Sequence, residues 1–259
     1  MNSFREALNA ELQSLRQDVL HSNFARELGH LDHQQIARVW SQYLHYARRF
    51  PDWMLRLAGF FEAFPLAKSA LEENWLEETG RGQSEQSHVH KLTLFVRAWG
   101  GDEQAPAGPS VSQWIQDVEQ MLKRVETLAG PRQSKDLKHL ANLGFALGWI
   151  GPATEELTSA QYTIFLQGLR RHAHMTQLEA SALEFFELHL EADPLHADAL
   201  WTSIDVLLNA ATTDSSRDDL QAHVRLGARQ GLEAEKRFWE GVWIETSISS
   251  STRSLKGPA

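Results

Sequence analysis

The chain contains no cysteine. That absence excludes disulfides, thiolate metal sites and cysteine nucleophiles together. Turn-forming residues are scarce: sixteen glycines and eight prolines make about 9% of the residues against a usual ~12%. So little punctuation favours long helices over many short strands. Cationic charge is also in deficit, with 25 lysines and arginines facing 34 aspartates and glutamates for a formal net charge of −9. Nucleic acids and anionic membranes need a cationic face opposite their phosphates, so neither is an expected partner. Long apolar runs are missing too. The most apolar stretch, around Leu140–Ala153, falls short of the ~18–20 residues that span a bilayer. The opening segment MNSFREALNAEL is amphipathic and has no signal-peptide core, which reads as a cytoplasmic chain.

What is present is helical periodicity. Ile36, Val39, Trp40, Tyr43 and Leu44 fall on one helical face, as do Trp114, Val118, Met121, Leu122 and Val125, and then Leu200, Ile204, Leu207 and Leu208 in a run starting near Ala197. No segment alternates with period two. Breaks are expected at Phe50-Pro51-Asp52, Phe64-Pro65, Gly80-Arg81-Gly82, residues 100–109, Gly130-Pro131, Gly151-Pro152 and residues 212–217. No linker is long enough to divide the chain, and there is no internal repeat. The expectation is an all-α, single-domain helical bundle of about ten helices over residues 1–246, with a mobile serine-rich tail at 247–259.

Twelve histidines raise the question of metal. His189, Asp193 and His196 step by four and then three; on a helix that turns about 700°, nearly two full turns, and stacks the three side chains on one face. Two imidazoles and a carboxylate so placed suit iron, manganese or zinc. The competing reading makes Asp193 the N-cap and Pro194 the first residue of a new helix. Upstream, Glu77 and Glu78 close one helix before Gly80-Arg81-Gly82, and His88 opens the next. Acidic residues at a helix C-terminus oppose the macrodipole, a penalty that a bound cation would reverse and that solvation or a surface salt bridge would also relieve. Glu85 and His88 have the Glu-x-x-His spacing of ferritin-like di-iron proteins, a short pattern that arises often by chance. Glu155 and Glu156 follow Gly151-Pro152, where the ordinary account is a helix capped by Thr154 with acids in its first turn.

Together these segments form a pattern. An asparagine four before a glutamate, Gly-x-Gly, a histidine ten after that glutamate, a mid-chain glutamate and then His-x3-Asp-x2-His resemble the haem-oxygenase-like di-iron oxidases and oxygenases. The resemblance spans residues 20–209. That superfamily includes fatty-acid decarboxylases, amine N-oxygenases and amino-acid-cleaving enzymes. Carried over position by position, it implies Glu78, His88, Glu155, His189, Asp193 and His196 as metal ligands, with Glu156 as an alternative register for Glu155. A further carboxylate from an earlier helix falls on Asp52, with Glu62 as the alternative.

True haem oxygenases need an N-terminal proximal histidine and a glycine-rich distal helix; the nearest approach to the latter is Gly144 and Gly148, which helix packing would equally explain. Thiaminase-type members need a cysteine. The cofactor-free quinone-forming members lack the ligand set. The resemblance therefore implies two Fe2+ ions, O2 as co-substrate, and N-oxygenation, desaturation or oxidative C–C cleavage of a small organic substrate. Three carboxylates and three histidines suit Fe(II) chemically. Trp149, Phe185 and Phe186 would wall the pocket or simply fill the core. Relatives are often dimers, which makes a homodimer one option and leaves the oligomeric state open. A non-catalytic scaffold of the same fold, or a zinc or manganese hydrolase, are the alternatives.

Overall fold

The computed structural model describes residues 2–128, 136–172, 175, 178 and 180–254. The described residues are helical throughout, with no strand among them. The helices are α1 (Asn2–Leu20), α2 (Asn23–Glu27), α3 (His33–Ala47), α4 (Phe50–Ala58), α5 (Pro65–Glu78), α6 (His88–Ala98), α7 (Pro109–Leu128), α8 (Leu137–Gly148), α9 (Glu156–Arg171), α10 (Glu184–Ala210) and α11 (Asp214–Ser254).

Local chemistry sets most of the starts. Asp32 and Gln35 form a reciprocal capping box at α3, with bonds of 2.7 and 2.8 Å. Ser87 Oγ accepts from the His90 N–H to cap α6, and Asp136 accepts from the His139 N–H to cap α8. Proline opens α4 and α5. Between α5 and α6 the chain reverses through Gly80, Arg81 and Gly82 at φ of 72, 52 and 85°. A Cβ at Gly80 would lie 2.3 Å from Gln83 O and 2.6 Å from Ser87 N, so this turn requires glycine. It carries the chain from the last residue of α5, Glu78, to the first residue of α6, His88.

The core is aromatic. Trp40 of α3 sits among Phe24, Phe95, Phe165, Phe186 and Trp239, with ring centroids 4.8–6.3 Å away. The long helix α11 runs along α8 at close range. A Cβ on Gly148 would come within 2.1 Å of Val224 O, and one on Gly227 within 1.9 Å of Phe145 O. Gly144 and Gly148 are therefore packing residues, and they face α11.

The break expected at Gly151-Pro152 is absent, and the competing helix start at Asp193-Pro194 is absent too. Gly151-Pro152 does not end a helix: Trp149–Glu155 is a π-helical segment joining α8 to α9 without interruption. Thr154 caps nothing; its Oγ1 donates to Trp149 O, five residues back, at 3.2 Å. Nor does Asp193-Pro194 start a helix, because α10 continues through Pro194. An internal proline costs ~3 kcal/mol through its missing N–H and its ring. Burial of Phe185, Phe186, Leu200, Trp201, Ile204 and Leu207 on the same helix, at roughly 1.5–3 kcal/mol per large apolar side chain, exceeds that cost. At the C-terminal end α11 continues to Ser254, eight residues beyond the expected boundary at 246, and residues 255–259 lie outside those described, as does Gly130-Pro131.

Candidate metal centre

Six of the seven expected ligands converge. Glu78, His88 and His189 form one group of three whose donor atoms lie within 4.8 Å of one another; Glu155, Asp193 and His196 form a second. All six are at least nine-tenths buried, Asp193 being only 1% exposed. Ionisable side chains are rarely so buried unless they are paired or hold a metal. Helix α10 contributes to both groups: His189 faces the first, Asp193 and His196 the second. Continuity of α10 through Pro194 is what keeps the four-then-three spacing on one face.

The donors lie close together without bonding one another. His88 Nδ1 lies 2.8 Å from Glu78 Oε1 yet has no aligned hydrogen bond, and His196 Nδ1 lies 3.5 Å from Glu155 Oε2 in the same way. Asp193 Oδ2 is buried without a partner. Three orphaned buried donor atoms in one place fit a pair of cations that would take their lone pairs.

The outer atoms are held. His189 Nδ1 donates to Phe185 O at 2.6 Å, which fixes the tautomer and leaves Nε2 as a lone pair facing Glu78 Oε1 at 4.0 Å. His196 Nε2 donates to Glu77 Oε2 at 2.5 Å, leaving Nδ1 for the interior. Asn74 Nδ2 donates to Glu155 Oε1 at 2.8 Å. The two acids closing α5 thus divide the work: Glu78 points inward, while Glu77 orients His196 and pairs with Arg81 at 2.8 Å.

The electrostatics of these buried groups suits a cation. Burial, then the charges of Glu155 and Glu78, push Asp193 well above the usual carboxylate range. Burial, then the neighbouring His88, pull His189 down to about 3. Against the cost of burial, the carboxylates of Glu155 and Glu77 push His196 up to about 9. Against burial likewise, His88, His189 and His196 hold Glu78 low. A site whose carboxylates cannot all ionise and whose imidazole holds a proton between two acids is one where bound cations would displace protons.

Asp52 does not belong to it. Phe50, Trp53, Met54 and Leu57 turn one face of α4 inward, and Asp52 lies exposed off that face in the first turn. Glu62 pairs with Lys68 at 2.7 Å in neither group. Glu85 is exposed, so the Glu-x-x-His spacing is not used; His88 meets Glu78 across the glycine turn instead. Glu156 points away from the site, accepting from Arg16 Nη2 at 2.6 Å.

A cavity of about 40 Å³ adjoins the site, lined by five of the six residues, namely Glu78, His88, Glu155, His189 and Asp193, together with tyrosine, threonine and phenylalanine side chains. Phe185 is on that wall; Phe186 packs on Trp40 in the core, and Trp149 lies beside Gly231 of α11. Sequence reasoning missed Tyr43 and Tyr162, whose hydroxyls meet at the cavity, and the orienting role of Asn74. Only the asparagine left a signal, as part of the Asn-x-x-x-Glu spacing.

The fold has relatives among solved structures. A CADD-like protein of unknown function from Nostoc punctiforme superposes with a TM-score of 0.68 at 18% identity, covering 96% of each chain. A domain of unknown function with a haem-oxygenase-like fold from Shewanella denitrificans gives 0.66 at 15% identity, covering 95% of this chain and 94% of that one. These likenesses show the fold. No curated protein matches the sequence significantly. Among the described residues no helix is long and apolar enough to cross a membrane. The model of the iron-containing redox enzyme family matches residues 37–236, a span that holds all six converging donors, and the chain belongs to that family.

Proposed function

We propose that this iron-containing redox enzyme is an O2-dependent non-haem di-iron oxidoreductase acting on a small organic substrate. The observation that carries the reading is the pair of buried three-donor groups sharing α10, with three orphaned donor atoms between them. One group offers two imidazoles and a carboxylate, the other two carboxylates and an imidazole; both sets suit Fe(II). Two ferrous ions held there would supply the electrons to reduce O2, the oxidant for N-oxygenation, desaturation or C–C cleavage. The chain's own residues do the rest. Glu78 and Glu155 would hold the ions through their carboxylates, and Asn74 Nδ2 orients the Glu155 carboxylate by donating to its Oε1. Glu77 and Phe185 O keep His196 and His189 in the ligating tautomers.

The cavity of about 40 Å³ exceeds the ~10–15 Å³ that admits one water. It suits a diatomic gas or a few waters. The rings of Tyr43, Tyr46, Phe50, Tyr162 and Phe185 line it together with Thr154 and Thr158, so an organic substrate would need more room than this space gives.

Anaerobic reconstitution with Fe(II), metal analysis and rapid mixing with O2 test the reading. Two irons per chain and a transient visible absorption are the expected results. A chain that binds no iron, or a di-iron form inert to O2, would sink it; activity that persists without O2 with zinc or manganese bound would favour a hydrolase.

A further inference from the structure

Glu155 and Glu156 are adjacent, and they leave the backbone in opposite senses. Glu155 joins Asp193 and His196. Glu156 turns outward and accepts from Arg5 Nη2 at 3.2 Å, Asn9 Nδ2 at 3.1 Å and Arg16 Nη2 at 2.6 Å, all on α1, and from Trp201 Nε1 on α10 at 3.2 Å. Which glutamate faces inward is a question of register. The register here is that of a π turn: the Glu156 N–H bonds to Gly151 O, five residues back. In an α-helical turn the same N–H would take Pro152 O instead. Pro152 O is taken by Arg16 Nη2 at 2.9 Å.

A π turn is rare, and where it occurs in a helix it needs support. One missing donor and two contacts supply it. Pro152 has no N–H with which to build an α-helical ladder, Thr154 Oγ1 takes Trp149 O at 3.2 Å, and Arg16 takes Pro152 O. The first two belong to the segment itself. Arg16 lies 136 residues away in sequence, on a helix that provides no ligand, and its side chain is only 15% exposed. A second bond from α1, Arg5 Nη1 to Asp198 Oδ1 at 2.7 Å, ties the same helix to α10 just beyond His196.

We infer that Arg16 is a positioning residue for the Glu155–Asp193–His196 group: by holding Pro152 O and Glu156 together it keeps the π register that turns Glu155, and not Glu156, toward the other two donors. The inference rests on the reading of both groups as metal sites. It makes the two sites unequal, because among the described residues the bonds from α1 reach Pro152 O and Glu156 beside Glu155 and none of Glu78, His88 and His189.

Anaerobic Fe(II) titration with metal analysis, on the full chain, tests it. Wild-type protein is expected to bind two ions. Arg16→Met should retain one with unchanged affinity and weaken the other at least tenfold, with unchanged far-ultraviolet dichroism. Arg16→Lys, which keeps a charged donor, should recover most of the loss. Glu156→Gln, a milder change at the same contact, should weaken the same ion and decides the matter if Arg16→Met does not fold. His88→Ala should remove the opposite ion, which assigns the losses. If wild type binds two ions and both Arg16→Met and Glu156→Gln bind two equally well, the inference is overturned while the metal reading stands. If wild type binds none, the metal reading falls and the inference with it.

Discussion

The hydroxyl oxygens of Tyr43 and Tyr162 lie 2.8 Å apart in the wall of the cavity that holds five of the six candidate ligands. Only one of the two can donate to the other, so one phenolic proton is left to turn into the cavity. Burial pushes Tyr43 and Tyr162 upward, and both keep their protons at neutral pH. The pair is thus a neutral donor in the wall of the same cavity as the candidate metal ligands. Tyr162→Phe is expected to cost ~1 kcal/mol of stability, the usual worth of one hydrogen bond, and to slow turnover more than it weakens iron binding. Urea unfolding, iron titration and rate measurement on one preparation check this; equal loss of all three would count against a donor role.

Glu235 on α11 gives a pH dependence separate from the metal donors. It is 5% exposed, and burial pushes it up to about 8 against the pull of the Trp239 indole N–H. The folded value lies above the unfolded one of 4.5. Between those two values the folded chain holds a proton that the unfolded chain has released. The carboxyl therefore costs nothing below pH 4.5, and stability falls as pH rises through the window to 8, by up to ~1.4 kcal/mol per pH unit. Glu235→Gln should melt like wild type at pH 5 and several degrees higher at pH 8.5. A constant difference across that range would refute the assignment.

Asp193 distinguishes the metal-free from the loaded chain. Burial and its acidic neighbours hold it well above the carboxylate range when no cation is near. Asp193→Asn should therefore leave the melting point of metal-free protein at pH 7 unchanged or raised. Wild type at a ligand concentration of a hundred Kd gains ~2.7 kcal/mol from one bound ion, worth about 5–10 °C in a chain of this size. The variant should lose most of that rise. Calorimetry with and without ferrous iron, in the absence of air, decides.

Pro194 sits inside α10 one residue after Asp193. It removes the N–H that Leu190 O would accept, and it does so where three carboxylates crowd. Amide exchange in residues 186–200 is expected to be fast in metal-free protein and to slow at least tenfold on anaerobic iron binding, since binding energy orders the helix. Exchange that is equally slow in both states would show that packing alone holds α10.

Some of this was legible from residue order alone. Trp40, Tyr43 and Leu44 recur at helical spacing because a single face of α3 meets the core. His189, Asp193 and His196 could be placed on one side because three and four residues span a helical turn. Glu78 and His88 came only from the family resemblance, which sets a glutamate four after the asparagine and a histidine ten after that. Other features misled. Gly151-Pro152 reads as a stop, since proline rarely sits inside a helix, yet the π segment absorbs its missing N–H. Asp52 follows from counting without gaps, which cannot know which face of α4 packs inward.

The division follows from range. Periodicity, caps and turns act within about one turn of helix, so their residues alone determined an all-α chain, the φ > 0 reversal at Gly80 and the row of donors on α10. The choice between Glu155 and Glu156, the pairing of Glu77 with His196 and the meeting of Tyr43 with Tyr162 rest on contacts between residues more than a hundred positions apart. Those contacts exist only once α1, α3, α5, α9 and α10 have packed together. A side chain's partner across such a gap is decided by the shape of the assembled core, which no local interval encodes.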